Sequence, residues 1–225
     1  MLFRSPMADG AAIQLGNIRS LTSGTKLRNV LAMVADFRRE DDSTPLILMG
    51  YFNPILAYGC ARFAVDARAA GLDGTIVVDL PPEEAAELAP DLDRHGLHLI
   101  RLATPTTDAA RLPAVLDGAS GFLYYVAVAG VTGANAATAA DVAMAVARLK
   151  RSTALPIAVG FGVRTPEQAA AIAIHADAVV VGSAIVDTIA AAAAERANDT
   201  AARVGTLVAG LAVAVRSARR KDRAA

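Results

Sequence analysis

The chain carries no excess of either charge: Lys+Arg and Asp+Glu stand at 22 each over 225 residues. With no net field to concentrate polyanions, nucleic acid and anionic membrane surfaces are disfavoured as partners, and a small molecule or another protein is indicated. Cysteine is reduced to one residue, Cys60. That excludes an internal disulfide and fits a reducing, cytoplasmic setting, and its place at an Ala-rich helix start reads as packing. The three histidines, His95, His98 and His175, are not spaced as metal ligands, and no Cys or carboxylate cluster accompanies them. No metal site is therefore expected, and they are assigned to helix ends and strand flanks. Residues 1–24 lack a basic segment followed by an apolar run and a cleavage site, so no signal peptide is expected. The longest apolar run, Val204–Val215, is too short to span a bilayer.

What is present is apolar mass, 54% of the residues, enough for one large core and more easily one domain than two. It falls into six runs: Pro45–Tyr51, Gly74–Asp79, Leu97–Ala103, Gly121–Val128, Pro156–Phe161 and Ala178–Gly182. Each is continuous rather than alternating in polarity, the pattern of parallel strands covered on both faces. Between them, Ala61–Ala70, Pro82–His95, Thr107–Leu116, Ala137–Arg151 and Thr165–Ala176 carry good helix formers. Thr165-Pro166-Glu167-Gln168 is a capped start with proline at the first helical position. Repeated strand–helix units argue for parallel βαβ architecture with right-handed crossovers. Ser217–Ala225 is polar and basic, and is expected to fray beyond a domain spanning residues 1–216.

A doubly wound sheet and a TIM-type (β/α)8 barrel both suit this alternation. The sheet usually announces a Gly-rich dinucleotide loop, absent here, whereas the barrel keeps its function in the loops after each strand. The unusual residues lie in those loops: Tyr51-Phe-Asn-Pro54, Asp79-Leu-Pro-Pro82, Gly130-Val-Thr-Gly133, Gly160-Phe-Gly162 and Gly182-Ser183. The barrel is the favoured fold class. In the last three loops, glycine would let backbone N–H groups approach an anion, and a helix N-terminus adds about half a positive charge. Phosphate is the natural guest; the alternative is that these glycines only make tight turns. Glu83 and Glu84, after Pro81-Pro82, read as helix-start acids that complement the dipole.

Six stretches in order carry a family resemblance. They are Pro6-Met-Ala-Asp-Gly10, Leu48-Met-Gly-Tyr-Phe-Asn-Pro54, Asp79-Leu-Pro-Pro-Glu-Glu84, Tyr124-Tyr-Val126 with Gly130-Val-Thr-Gly133, Val159–Gln168 and Val181–Val186. Together they resemble the α subunits of tryptophan synthase, from residue 2 to about residue 216. The resemblance implies a lyase of tryptophan biosynthesis that cleaves indole-3-glycerol phosphate by a retro-aldol step into indole and glyceraldehyde 3-phosphate. The partner it implies is a β subunit in an α2β2 assembly; the pyridoxal phosphate belongs to that subunit and no cofactor to this chain.

By the same resemblance Asp9 is a catalytic carboxylate at the indole nitrogen, and Tyr51 and Tyr124 line the indole pocket. Read from the residues alone, both could be ordinary strand-end tyrosines. Thr132 belongs to a lid that closes over Asp9, and Gly133, Gly162, Gly182 and Ser183 form the phosphate cradle. The Pro6 loop, Asn53-Pro54 and Asp79–Pro82 resemble β-facing surfaces, although Phe3-Arg4-Ser5-Pro6 departs from the family's usual Phe-Ser-Asp-Pro. In the family the first strand, its helix and most of the second strand precede the position of Met1, together with a second catalytic glutamate. The expectation is therefore a displaced start, and a six-stranded, poorly stable barrel if the chain stands alone. Two other readings stay open: an impaired α-like partner that binds and activates the β subunit, and another phosphate-binding barrel such as a sugar-phosphate isomerase or thiamine-phosphate synthase.

Overall fold

A computed structural model describes residues 9–127, 138–160 and 162–222. The apolar runs become β1 (Ile47–Gly50), β2 (Gly74–Val77), β3 (His98–Ala103), β4 (Leu123–Val126), β5 (Ile157–Gly160) and β6 (Ala178–Val180). Every one lies inside a predicted run, and β2 and β5 are buried along their whole length, as an uninterrupted apolar segment is in a covered sheet. The helices are α1 (Ala11–Thr22), α2 (Leu27–Arg38), α3 (Phe52–Tyr58), α4 (Cys60–Ala70), α5 (Ala89–Arg94), α6 (Leu112–Leu116), α7 (Ala139–Lys150), α8 (Pro166–Ala173), α9 (Ser183–Ala194) and α10 (Thr200–Asp222).

Contacts group the chain into two compact units: residues 18–103 with 107–123, and residues 9–17 with 104–106 and 124–222 among those described. In the first unit β1, β2 and β3 pair in parallel, with Ile47 opposite Gly74 and Gly74 opposite His98. Gly74 is required at that crossing, since a Cβ would sit 2.6 Å from the His98 carbonyl oxygen. Large aliphatic and aromatic side chains fill the core: Phe63, Leu72, Leu88 and Leu92 are essentially inaccessible, with Leu31, Leu97 and Leu99 beside them. Asp73 closes the start of the sheet. Its Oδ2 accepts the Leu46 N–H at 2.7 Å and the Arg38 guanidinium at 2.6 Å.

In the second unit β5 and β6 pair in parallel, Ala158 opposite Ala178, and the Ala127 N–H just beyond β4 donates to the Gly160 carbonyl at 3.2 Å. Here the buried set is smaller in side-chain size: Ala158, Val159, Ala169, Ala173, Ala184 and Ala192, with Val146 and Leu149 from α7. Helices α7 and α8 start with complete capping boxes, Thr138 with Asp141 and Thr165 with Gln168, each hydroxyl accepting the backbone N–H three residues on.

Several elements differ from the sequence reading for identifiable reasons. Pro82–His95 is a 3-10 turn over Pro82–Glu87 followed by α5, with the break ahead of Pro90, whose ring cannot donate into a continuous helix. Only Leu112–Leu116 of the predicted 107–116 helix is α-helical, and Pro113 sits in its first turn. The polar end predicted to fray stays helical to Asp222, and Arg219 Nη2 donates to the Ala176 and Asp177 carbonyls. The apolar run 204–215 is likewise part of a longer helix. Among the described residues, Thr200–Arg220 is the one stretch long and apolar enough to cross a membrane by length and composition, and it packs along α8 and α9.

Candidate active site

Asp9 stands immediately ahead of α1, and that helix turns back to hold it. The Asn17 side-chain amide donates to Asp9 Oδ2 at 3.3 Å, and the Gln14 amide to the Asp9 carbonyl at 2.7 Å. Gln14 and Asn17 are three residues apart and so share a helix face. Sequence reasoning missed both, although polar residues at helical spacing after a candidate acid are the signal that finds them.

The first turns of α1 lie against the start of α9. Ile13 Cδ1 is 3.7 Å from where a Gly182 Cβ would be, and Val186 Cγ1 is 3.1 Å from the corresponding Gly16 position. Asp9 therefore shares a neighbourhood with Gly182 and Ser183, where α9 begins. Tyr124, on β4, is 9% exposed, and its ionisation is pushed upward first by burial and then by the charge of Asp9. The phenol is thus kept neutral, an amphipathic wall facing a carboxylate. Gly160 makes room for it, since a Cβ there would come within 2.8 Å of the Tyr124 ring. Gly162, two residues on, has φ of +51° and nothing within 4 Å of its Cβ position, leaving its backbone open.

Of the predicted site residues, the second unit therefore gathers Asp9, Tyr124, Gly162, Gly182 and Ser183. Tyr51 belongs to the first unit, half-buried at the end of β1 and at the N-cap of α3. Thr132 and Gly133 lie outside the described residues.

The other polar candidates have local partners. Asp79 Oδ1 accepts the Phe52 N–H at 2.7 Å, serving the α3 N-terminus that Tyr51 leaves without a side-chain cap. Glu83 receives both terminal nitrogens of Arg111, which holds its carboxyl down to about 2; a helix-start backbone hydrogen bond adds to the effect. Cys60 opens α4 half-buried, and burial, followed by the charges of Asp91 and Glu87, pushes its thiol up and away from the reactive thiolate. Among the described residues no group of three His, Cys, Asp or Glu side chains is placed to hold a metal ion.

Strand–helix units with polar and glycine-bearing positions at the carboxyl ends of the strands define an α/β enzyme of the TIM-barrel type. The family model "Tryptophan synthase alpha chain" matches residues 1–216, and the chain belongs to that family of lyases. The tryptophan synthase alpha chain of Novosphingobium aromaticivorans is 59% identical over 221 residues, covering 98% of this chain and 82% of the relative. The crystal structure of tryptophan synthase subunit alpha from Legionella pneumophila superposes with a TM-score of 0.86 at 40% identity, over 94% of this chain and 78% of that one. A chain from the tryptophan synthase α2β2 complex of the hyperthermophile Pyrococcus furiosus gives 0.78 at 35% identity, over 93% and 82%. The fold class and family expected from the six sequence stretches are those found.

Proposed function

We propose that this chain cleaves indole-3-glycerol phosphate to indole and glyceraldehyde 3-phosphate in the cytoplasm, delivering the indole to a β subunit in an α2β2 assembly. The pyridoxal phosphate of the following condensation with serine belongs to that β subunit. The observation that carries this reading is a buried, neutral Tyr124 close enough to feel the charge of Asp9, with the helix that follows Asp9 packed against the Gly182–Ser183 start of α9, in a chain of this family.

The step breaks the bond between indole C3 and the glycerol carbon. C3 must gain a proton and the substrate hydroxyl must lose one as it becomes the aldehyde carbonyl, a transfer that the family resemblance assigns to a second catalytic glutamate, while positive charge develops at the ring nitrogen. Asp9 accepts the indole N–H hydrogen bond and stabilises that charge, its carboxylate held in place by Asn17. Tyr124 offers the indole an aromatic wall, and Tyr51 keeps only the indole-lining role that the family resemblance gives it. Gly133, Gly162, Gly182 and Ser183 hold the phosphate with backbone N–H groups, the N-terminus of α9 adding its partial charge. Thr132 closes over Asp9 and excludes water. Residues 1–216 act as one catalytic domain. The packing of α10 along α8 and α9 supports a helix that belongs to this domain rather than to a bilayer.

Indole release from indole-3-glycerol phosphate, with and without a β subunit, tests the reading. Asp9→Asn is expected to lower kcat by about 10²- to 10⁴-fold with thermal unfolding unchanged, and release that survives this substitution removes the proposed role. Stimulation of the serine-plus-indole condensation without indole release from the native chain would instead support a partner that has lost its lyase step.

A further inference from the structure

Resting on the reading of Gly162, Gly182 and Ser183 as a phosphate cradle, we propose that the Arg164–Asp187 ion pair is a charge-compensating strut of that cradle. The pair joins its two halves. Arg164 lies two residues beyond Gly162, and its Nη2 donates to Asp187 Oδ2 on α9 at 2.7 Å. Both ends are anchored on regular structure. The Arg164 N–H donates to Gln168 Oε1 at 2.8 Å within the capping box of α8, and Asp187 sits in the second turn of α9.

The position of Asp187 is what gives the pair a function. It follows Ser183 by four residues, hence lies on the same face and about 6 Å along the axis from it. An uncompensated carboxylate there opposes the partial positive charge with which the helix start attracts an anion. Arg164 cancels it and ties the Gly162 loop to α9 at once. As a stabilising contact alone the pair would do little, since its side chains are 55% and 43% exposed. Its sequence signal, an arginine and an aspartate 23 residues apart, says nothing until β5, α8, β6 and α9 bring the two together.

The test is steady-state cleavage of indole-3-glycerol phosphate by the complex with the β subunit, with inorganic phosphate as competitor. Arg164→Ala is expected to raise KM and weaken phosphate competition about three- to tenfold, with kcat moving less than about twofold. Asp187→Asn added to Arg164→Ala should recover most of the loss, because it removes the exposed charge. Asp187→Asn alone should leave phosphate competition equal or stronger, and Asp187→Ser repeats the test if asparagine lowers the Tm. A double variant as weak as Arg164→Ala, or a loss confined to kcat, overturns the proposed charge compensation, since a purely mechanical tie does not recover when its second half is removed. Phosphate competition that Arg164→Ala leaves unchanged also overturns it while keeping the cradle. If the native complex shows no phosphate competition and cleaves the dephosphorylated substrate equally well, the cradle falls and the strut with it.

Discussion

The two compact units use one device at the start of their sheets and differ in everything packed around it. In the first, the Asp73 carboxylate accepts the Leu46 N–H while the Asp73 N–H donates to the Leu46 carbonyl at 2.9 Å, and Arg38 completes the joint. In the second, Asp177 Oδ2 accepts the Ile157 N–H at 2.9 Å, the Asp177 N–H donates to the Ile157 carbonyl at 2.9 Å, and Lys150 supplies the cation at 3.1 Å. Arg38 is 15% exposed and also donates to the Gly71, Asp41 and Thr44 carbonyls, whereas Lys150 is 45% exposed. The first unit packs mainly Leu around Phe63, the second mainly Ala and Val beside Tyr124, Tyr125 and Ile157. The difference teaches that cohesion and chemistry are unevenly shared. The first unit concentrates large buried side chains, and the second carries Gly162 and the α9 start at Ser183, on which the proposed phosphate site rests.

The sharpest break of this division is Asp9→Asn, whose loss of about 10²- to 10⁴-fold in indole release should come with an unchanged Tm. A fall in Tm would make Asp9 structural and blur the two roles. Next in size, Phe63→Ala in the first unit should lower the unfolding free energy by about 3–5 kcal/mol in a denaturant titration. A loss under about 1 kcal/mol would show that the aliphatic cluster is not what holds that unit. The two joints can be set against each other directly. Arg38→Ala strands several acceptors and should cost about 2 kcal/mol, against less than about 1 kcal/mol for Lys150→Ala; equal losses would make the joints equivalent.

The smallest effect is read through pH. Glu83 titrates near 2 in the folded chain, below the ordinary 4.5, so its pair with Arg111 stabilises the fold above about pH 4.5 and that contribution is lost as pH falls toward 2. The Tm difference between Glu83→Gln and the native chain should therefore be small at pH 7 and vanish over that window. A difference that persists at pH 2 would assign it to packing.

Much of the architecture was legible. Continuous runs such as Gly74–Asp79 and Pro156–Phe161 have no polar face to expose and so report a doubly covered strand by themselves. Thr165-Pro-Glu-Gln168 reported the start of α8 through hydrogen-bonding chemistry that needs no partner element. Helices α1, α2 and α3 were not legible, nor were α9 and α10. The Ala- and Val-rich stretches of the last two lack the polar alternation that marks a surface helix, and their length was set by packing along α8. At the site, Asp9 and Tyr124 could be named from motifs, yet their electrostatic coupling, the room that Gly160 leaves for the phenol, and the hold of Asn17 on Asp9 join residues as many as 115 positions apart in the numbering.

By itself the sequence determined the six strands with a helix between each successive pair, the capped start of α8 and the family, because these rest on local hydrogen bonding, on apolar continuity and on ordered motifs. Tertiary structure alone decided which polar groups meet: Asp9 with the neutral Tyr124, Arg164 with Asp187, Arg38 with Asp73 and Glu83 with Arg111. The physical reason is range. Coulomb and hydrogen-bond energies depend on separations of a few ångströms, and no spacing along a chain sets those until the helices have folded back over their strands.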